Sequence, residues 1–169
     1  MAENQTAEEL LTRPAVQRVR DALRAGGARH DVQALADTAR TAQDAANALG
    51  CAVGAIVKSL VFAVGGKPVM ALVAGDRMGD VDALPAVLGL DGRCKRADAD
   101  MVREATGFTI GGVAPVGHAT AMPIAIDESL GRFEAIFAAA GHPHCVFQTT
   151  LAELQRLTGG TVSPSVSKA

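Results

Sequence analysis

Two apolar runs separated by a glycine pair constrain this chain more than any other feature. Ile56–Val64 reads IVKSLVFAV and Pro68–Ala74 reads PVMALVA, with Gly65-Gly66-Lys67 between them. Short apolar runs joined by a glycine turn predict a β-hairpin. The first run carries a lysine in its middle. Strand side chains alternate between faces, so Lys58 shares one with Ile56, Leu60 and Phe62. An ammonium among such neighbours needs a partner or a route to water. Either its stem packs at a sheet edge while its head reaches solvent, or it is a fixed cation beside a pocket. The second arrangement would hold a phosphate, a carboxylate or a carbonyl oxygen.

Helical signals surround the hairpin. Val16, Val19 and Leu23 form one stripe between Pro14 and the Gly26-Gly27 stop, predicting a helix over Pro14–Ala25. Thr41 and Asp44 stand in capping-box spacing before a helix that ends at Gly50, and Thr150 and Glu153 repeat that spacing before Leu151–Leu157. Further helices are expected over Val81–Leu88, with Asp80 as its cap, and over Asp100–Ala105, between Asp98 and Gly107. Short strands are expected at His30–Ala34, Pro123–Asp127, Phe133–Ala138 and Cys145–Gln148. Hairpins mixed with helices depart from a uniform βαβ pattern. The expectation is an α+β fold, a single domain over residues 1–169 with a mixed, curved β-sheet flanked by helices. Its core spans about residues 14–160, with 1–13 and 161–169 as flexible ends.

Composition narrows the function classes. The chain of 169 residues is 49% hydrophobic and 20% charged, which is globular usage. Without Trp or Tyr it has no set of aromatic platforms for stacking bases. A net charge of −2, with Arg93-Cys94-Lys95-Arg96 as its densest basic cluster, argues against a face built to grip long nucleic acid, DNA included. Three widely spaced cysteines suit a reducing compartment rather than a disulfide framework. The polar start MAENQTAEEL and the lack of any run of about 20 apolar residues point to a cytoplasmic protein with no membrane partner.

Three further motifs could carry chemistry. Gly107–His118 reads GFTIGGVAPVGH, a glycine-rich loop between a helix and a strand. Its amides could cradle an anion or an oxyanion, with Pro115 stiffening the bend, or it could be a structural connection. It fits neither a phosphate-binding P-loop nor a dinucleotide fingerprint. Gly141-His142-Pro143-His144 invites a metal reading with His118 as a third ligand, but no Cys or acidic neighbour completes a familiar spacing. A histidine lining a pocket is the better expectation, with no metal and no cofactor. Asp127, ending a strand, could cap the next turn or face a ligand's ammonium. No nucleophile elbow is present.

Taken together, IVKSLVF (Ile56–Phe62), GFTIGGVAPVGH (Gly107–His118), AIDESL (Ala125–Leu130) and AGHPHCVF (Ala140–Phe147) resemble the YbaK/ProX editing family. That family is related to the insertion domain of bacterial prolyl-tRNA synthetases. The likeness runs from about Pro14 to Gly160, with the motifs in family order. It implies a free-standing hydrolase that deacylates mischarged aminoacyl-tRNA, receiving the 3′ end in a pocket and served in some cases by a synthetase. It also implies catalytic roles for Lys58, Gly111 and Gly112, the glycines acting through their backbone at the scissile ester. Pro115, His118, Asp127, Gly141 and His142 become the expected substrate contacts. The resemblance implies a small amino acid such as Ala or Cys on tRNA(Pro); the cysteine-specific branch has a Ser-Gly-Gly turn where this chain has Ala139-Ala140-Gly141, and the missing hydroxyl counts against Cys. A non-catalytic module that binds an aminoacyl-tRNA or nucleotide end is the alternative on the same fold.

Overall fold

A computed structural model describes residues 6–35 and 41–169. The predicted hairpin is the centre of the molecule. Strands β2 (Ile56–Val64) and β3 (Lys67–Ala74) pair antiparallel over their whole length, closing at Val64–Lys67. Gly65 and Gly66 both take positive φ, 58° and 83°, as a two-residue hairpin turn matched to strand twist requires.

The sheet grows outward on both sides. Beyond β3 lie β6 (Ile124–Asp127) and β9 (Thr161–Ser163), each added in parallel. Beyond β2 lie β7 (Ile136–Ala139), also parallel, then β8 (Cys145–Thr149) and β1 (Val32–Ala34), both antiparallel. A short strand β5 (Cys94–Arg96) pairs with the far end of β2. Among the described residues the result is an eight-stranded sheet, mixed as the sequence leads one to expect.

Helices cover both faces. The stripe of α2 (Pro14–Ala25), Val16, Val19 and Leu23, is buried in the larger core with Val57, Val61 and Phe147. α5 (Ala99–Thr106) and α6 (Leu151–Thr158) add Val102 and Leu154 to that core. On the opposite face Phe62, Val64 and Val73 meet Leu84 of α4 (Leu84–Leu88). α3 (Ala42–Leu49) packs Ala45 and Ala46 on Ile56. The Thr41–Asp44 capping box is present, and Asp98 accepts the Met101 N–H. At α6 the box is half used. Thr150 accepts from Glu153 N, while the Glu153 carboxylate turns inward to Thr149 Oγ1 at 2.7 Å and Arg29 N at 3.1 Å.

Several expectations need correction. Residues 161–169 are not a frayed tail. They form β9 and β10 (Ser167–Lys168), the latter pairing with β4 (Met78–Gly79), and Val166 is fully buried beside Phe62 and Leu84. Polar composition hid them, because one buried valine and main-chain pairing hold the segment. Within the expected N-terminal flexible end, Ala7–Leu11 forms helix α1, with Thr6 and Glu9 as a capping box and Leu10 in the core; residues 1–5 lie outside the described residues. α4 starts at Leu84 rather than Val81, with Ala83 and not Asp80 at its N-cap.

Candidate active site

Main-chain alternation along β2 creates an opening in the sheet. The Ile56 carbonyl accepts from Gly75 N and so faces β3, whereas the Val61 carbonyl accepts from Ala97 N on the opposite side. Lys58, Leu60 and Phe62 therefore direct their main-chain groups to β3, and Val57, Ser59 and Val61 direct theirs to the other edge. On that other edge β7 pairs only as far as Val57, and β5 begins only at Phe62. Ser59 lies in the gap between two neighbouring strands.

A cavity of about 650 Å³ opens at this gap, within the size range of ligand pockets. It straddles the strand edge. Lys58, Leu60 and Phe62 contribute from one face, and Val57, Ser59 and Val61 from the other. The outer walls come from Phe137 and Ala139 of β7, Arg96 of β5, and Ile110, Gly111 and Pro143 of the loops. Ile110 and Met78, which is also in the wall, are 69% and 61% exposed, an uncommon state for large apolar side chains.

Lys58 answers the burial problem with a local partner. Its Nζ donates to the Arg77 carbonyl in the turn after β3. Burial pulls its pKa below the ordinary 10.5, while the charges of Asp76 and Asp127 oppose that shift. The turn is pinned from two sides. Arg132 grips Asp76 through two bonds of 2.8 and 2.9 Å, and Arg77 donates to Ser167 Oγ at 2.7 Å. Local patterning carries no signal for this support, since Arg132 and Ser167 lie far along the chain from Asp76-Arg77.

Of the remaining expected residues, Gly111 stands in the cavity wall and the others do not. Gly111 (φ 100°) is exposed and in the wall, but Gly112 is buried and its N–H donates to Thr109 O at 3.0 Å. A Cβ on Gly112 would stand 2.9 Å from Gly141 C and His142 N. Gly141 donates to Gly112 O at 3.0 Å, and its own Cβ would meet Ala15 C at 2.8 Å. These two glycines let three segments touch backbone to backbone. Pro115 is buried behind the wall. His118 bonds Ala114 O through Nε2 at 2.7 Å and meets the Phe108 ring edge-on, with burial holding its pKa down. Arg18 secures the same loop from below, bonding Gly117 O and Thr106 O at 3.0 Å and lying over the Phe108 ring.

Asp127 is 1% exposed and spends both oxygens on main-chain amides, Ala74 N at 3.0 Å and Ser129 N at 2.9 Å. It is a capping residue that reaches Lys58 only through its field. His142 accepts the His144 N–H through Nδ1 at 3.1 Å, and burial together with the nearby Arg13 charge lowers its pKa. His118 stands apart from this pair, and among the described residues no three His, Cys, Asp or Glu side chains converge as a metal site. Cys145, in the wall, has its thiol pushed up to about 11 by burial, so it is no ready nucleophile at neutral pH.

A mixed α+β sheet is interrupted at one strand edge, and the cavity that results carries a lysine and a glycine loop in its wall. The chain belongs to the aminoacyl-tRNA editing domain family, whose model matches residues 36–157. Membership makes aminoacyl-tRNA its class of substrate. A solved structure described as a candidate trans-editing enzyme for prolyl tRNA synthetase superposes with a TM-score of 0.85 at 39% identity, covering 93% of this chain and 99% of that one. Uncharacterized protein YwhH of Bacillus subtilis (strain 168) is 31% identical over 140 residues, 82% of this chain and 88% of its own length. Proline–tRNA ligase of Thermosipho africanus (strain TCF52B) is 42% identical over 78 residues, which are 46% of this chain and 14% of the ligase. No helix among the described residues is long and apolar enough to cross a membrane.

Proposed function

We propose that this domain is a trans-editing deacylase that hydrolyses mischarged aminoacyl-tRNA in the cytoplasm, the amino acid being a small one such as Ala or Cys on tRNA(Pro). One observation carries the reading: Lys58 and Gly111 share the wall of one cavity at the open edge of β2. An aminoacyl ester is already activated, so its hydrolysis needs a positioned water and stabilisation of the developing oxyanion. Water adds to the carbonyl carbon, the ester C–O bond breaks, and the ribose oxygen leaves with a proton. The free amino acid and a second proton complete the balance. Lys58 supplies a fixed positive charge beside the carbonyl or the terminal phosphate.

The wall is largely apolar around Phe137, Ala139 and Val57, which suits an uncharged side chain. Arg96, with exposed Lys95 and Arg93 beside it, stands where the terminal phosphates would approach. A synthetase as delivery partner is in keeping with the likeness to part of a proline–tRNA ligase. The test is a panel of mischarged tRNAs incubated with the purified protein. Release of a small amino acid well above the spontaneous rate is the expected result. Binding without turnover across the panel would instead favour a non-catalytic module.

A further inference from the structure

Among the described residues, the gap in the sheet leaves main-chain groups without a partner strand. Alternation sets Ser59 N–H and C=O toward the cavity, and neither β7 nor β5 reaches them. Ser59 stands in the cavity wall, and its buried Oγ has no hydrogen-bond partner among the described residues. A strand residue with both main-chain groups free is complementary to one residue of an opposing strand, which offers one N–H and one C=O in return. An aminoacyl ester is such a residue, its α-ammonium a donor and its ester carbonyl an acceptor. Gly112 cannot fill this part, because its N–H is already bonded to Thr109 O.

We infer that the open edge at Ser59 is the aminoacyl-recognition and oxyanion site: the α-ammonium donates to Ser59 O, and Ser59 N–H donates to the ester carbonyl oxygen. This inference rests on the editing function proposed above. The ligand adds one rung to the sheet where the protein leaves one out, as strand-adding peptides do. Ser59 N–H then strengthens its bond as negative charge grows on that oxygen, the condition for a donor to speed the reaction. Recognition through main chain requires the ammonium and the carbonyl of any amino acid, and leaves side-chain choice to the apolar walls. It also explains why the neighbouring strands stop short, since a β7 two residues longer would fill the rung itself.

No side-chain substitution removes a main-chain group, so the ligand and the amide are what to probe. The probe is adenosine carrying alanine as a 3′-amide, which keeps the ammonium and the carbonyl but resists hydrolysis. On titration at millimolar concentration, the Ser59 amide resonance is expected to move downfield and its hydrogen exchange to slow at least tenfold, with Val57, already paired to β7, unmoved. The lactyl version of the probe, with a hydroxyl in place of the ammonium, is expected to bind at least tenfold more weakly. An unmoved Ser59 amide, whether the probe binds elsewhere in the cavity or not at all, overturns the inference, as does equal affinity for the lactyl probe. Failure of the editing reading looks different: the Ser59 amide responds to the probe while no mischarged tRNA is turned over.

Discussion

An ammonium on an apolar strand costs folding free energy that a neutral side chain would not. Lys58 carries this cost, since burial outweighs the fields of Asp76 and Asp127 and its pKa falls below 10.5. Between the lowered value and 10.5 the unfolded chain holds more protons, so the penalty is complete below the lowered value and is relieved as pH rises through that window. Lys58→Met is therefore expected to raise Tm at pH 7 by about 2–4 °C, with the gain shrinking toward pH 10, as calorimetry would show. An equal or lower Tm would mean that the bond to Arg77 O repays the burial. At Gly112 the expectation runs the other way. An added Cβ meets backbone at 2.9 Å, so Gly112→Ala should cost about 1–3 kcal/mol in denaturant unfolding, a structural effect at a site the sequence read as catalytic. A glycine-rich loop gives the same letters for an exposed amide and for a crowded contact, and only Gly111 of this pair is exposed.

At the scale of elements, the turn after β3 holds the site together. Arg132 and Asp76 are partly exposed, so their pair stabilises the fold by under about 1 kcal/mol. Its weight lies in fixing the turn whose carbonyl holds Lys58 Nζ. The bond from Arg132 keeps the Asp76 pKa below its ordinary 3.8, so this stabilisation is present above that value and is lost as pH falls through the lowered one. Arg132→Met should lower turnover with little change in KM, and its small stability deficit should vanish in acid; a loss confined to KM would contradict the positioning role. The elements themselves were largely legible. Hairpin, the Thr41–Asp44 capping box and the α2 stripe appear at the expected places because each is written in local chemistry. What stayed hidden is long-range: β4 and β5 are two and three residues long, and no periodicity marks a strand that short.

At the scale of the molecule, the C-terminal nine residues close the fold over the smaller core. Val166 fills it, and Ser167 holds Arg77 beside the Lys58 turn. Ending the chain at Ser163 should cost about 2–4 kcal/mol, the price of a large apolar deletion, and should free Lys58; unchanged stability would show that the segment only lies on the surface. Its polar letters concealed this, just as the gap beside Ser59 could not be read without knowing where β7 and β5 stop. Net charge also acts at this scale. With −2 overall, Arg96 in the cavity wall and Arg93 and Lys95 exposed on the same short segment, isolated tRNA should bind weakly, with a salt slope corresponding to about three phosphates or fewer. Tight binding with a steep slope would require a basic surface elsewhere.

The central claim is that the Lys58 cation at the open edge of β2 serves ester hydrolysis. Its most direct test is single-turnover deacylation of alanyl-tRNA(Pro), comparing wild type with Lys58→Ala after a melting curve confirms that the variant is folded. The expected result is at least about a hundredfold slower hydrolysis by the variant. Hydrolysis at the wild-type rate by folded Lys58→Ala would contradict the account.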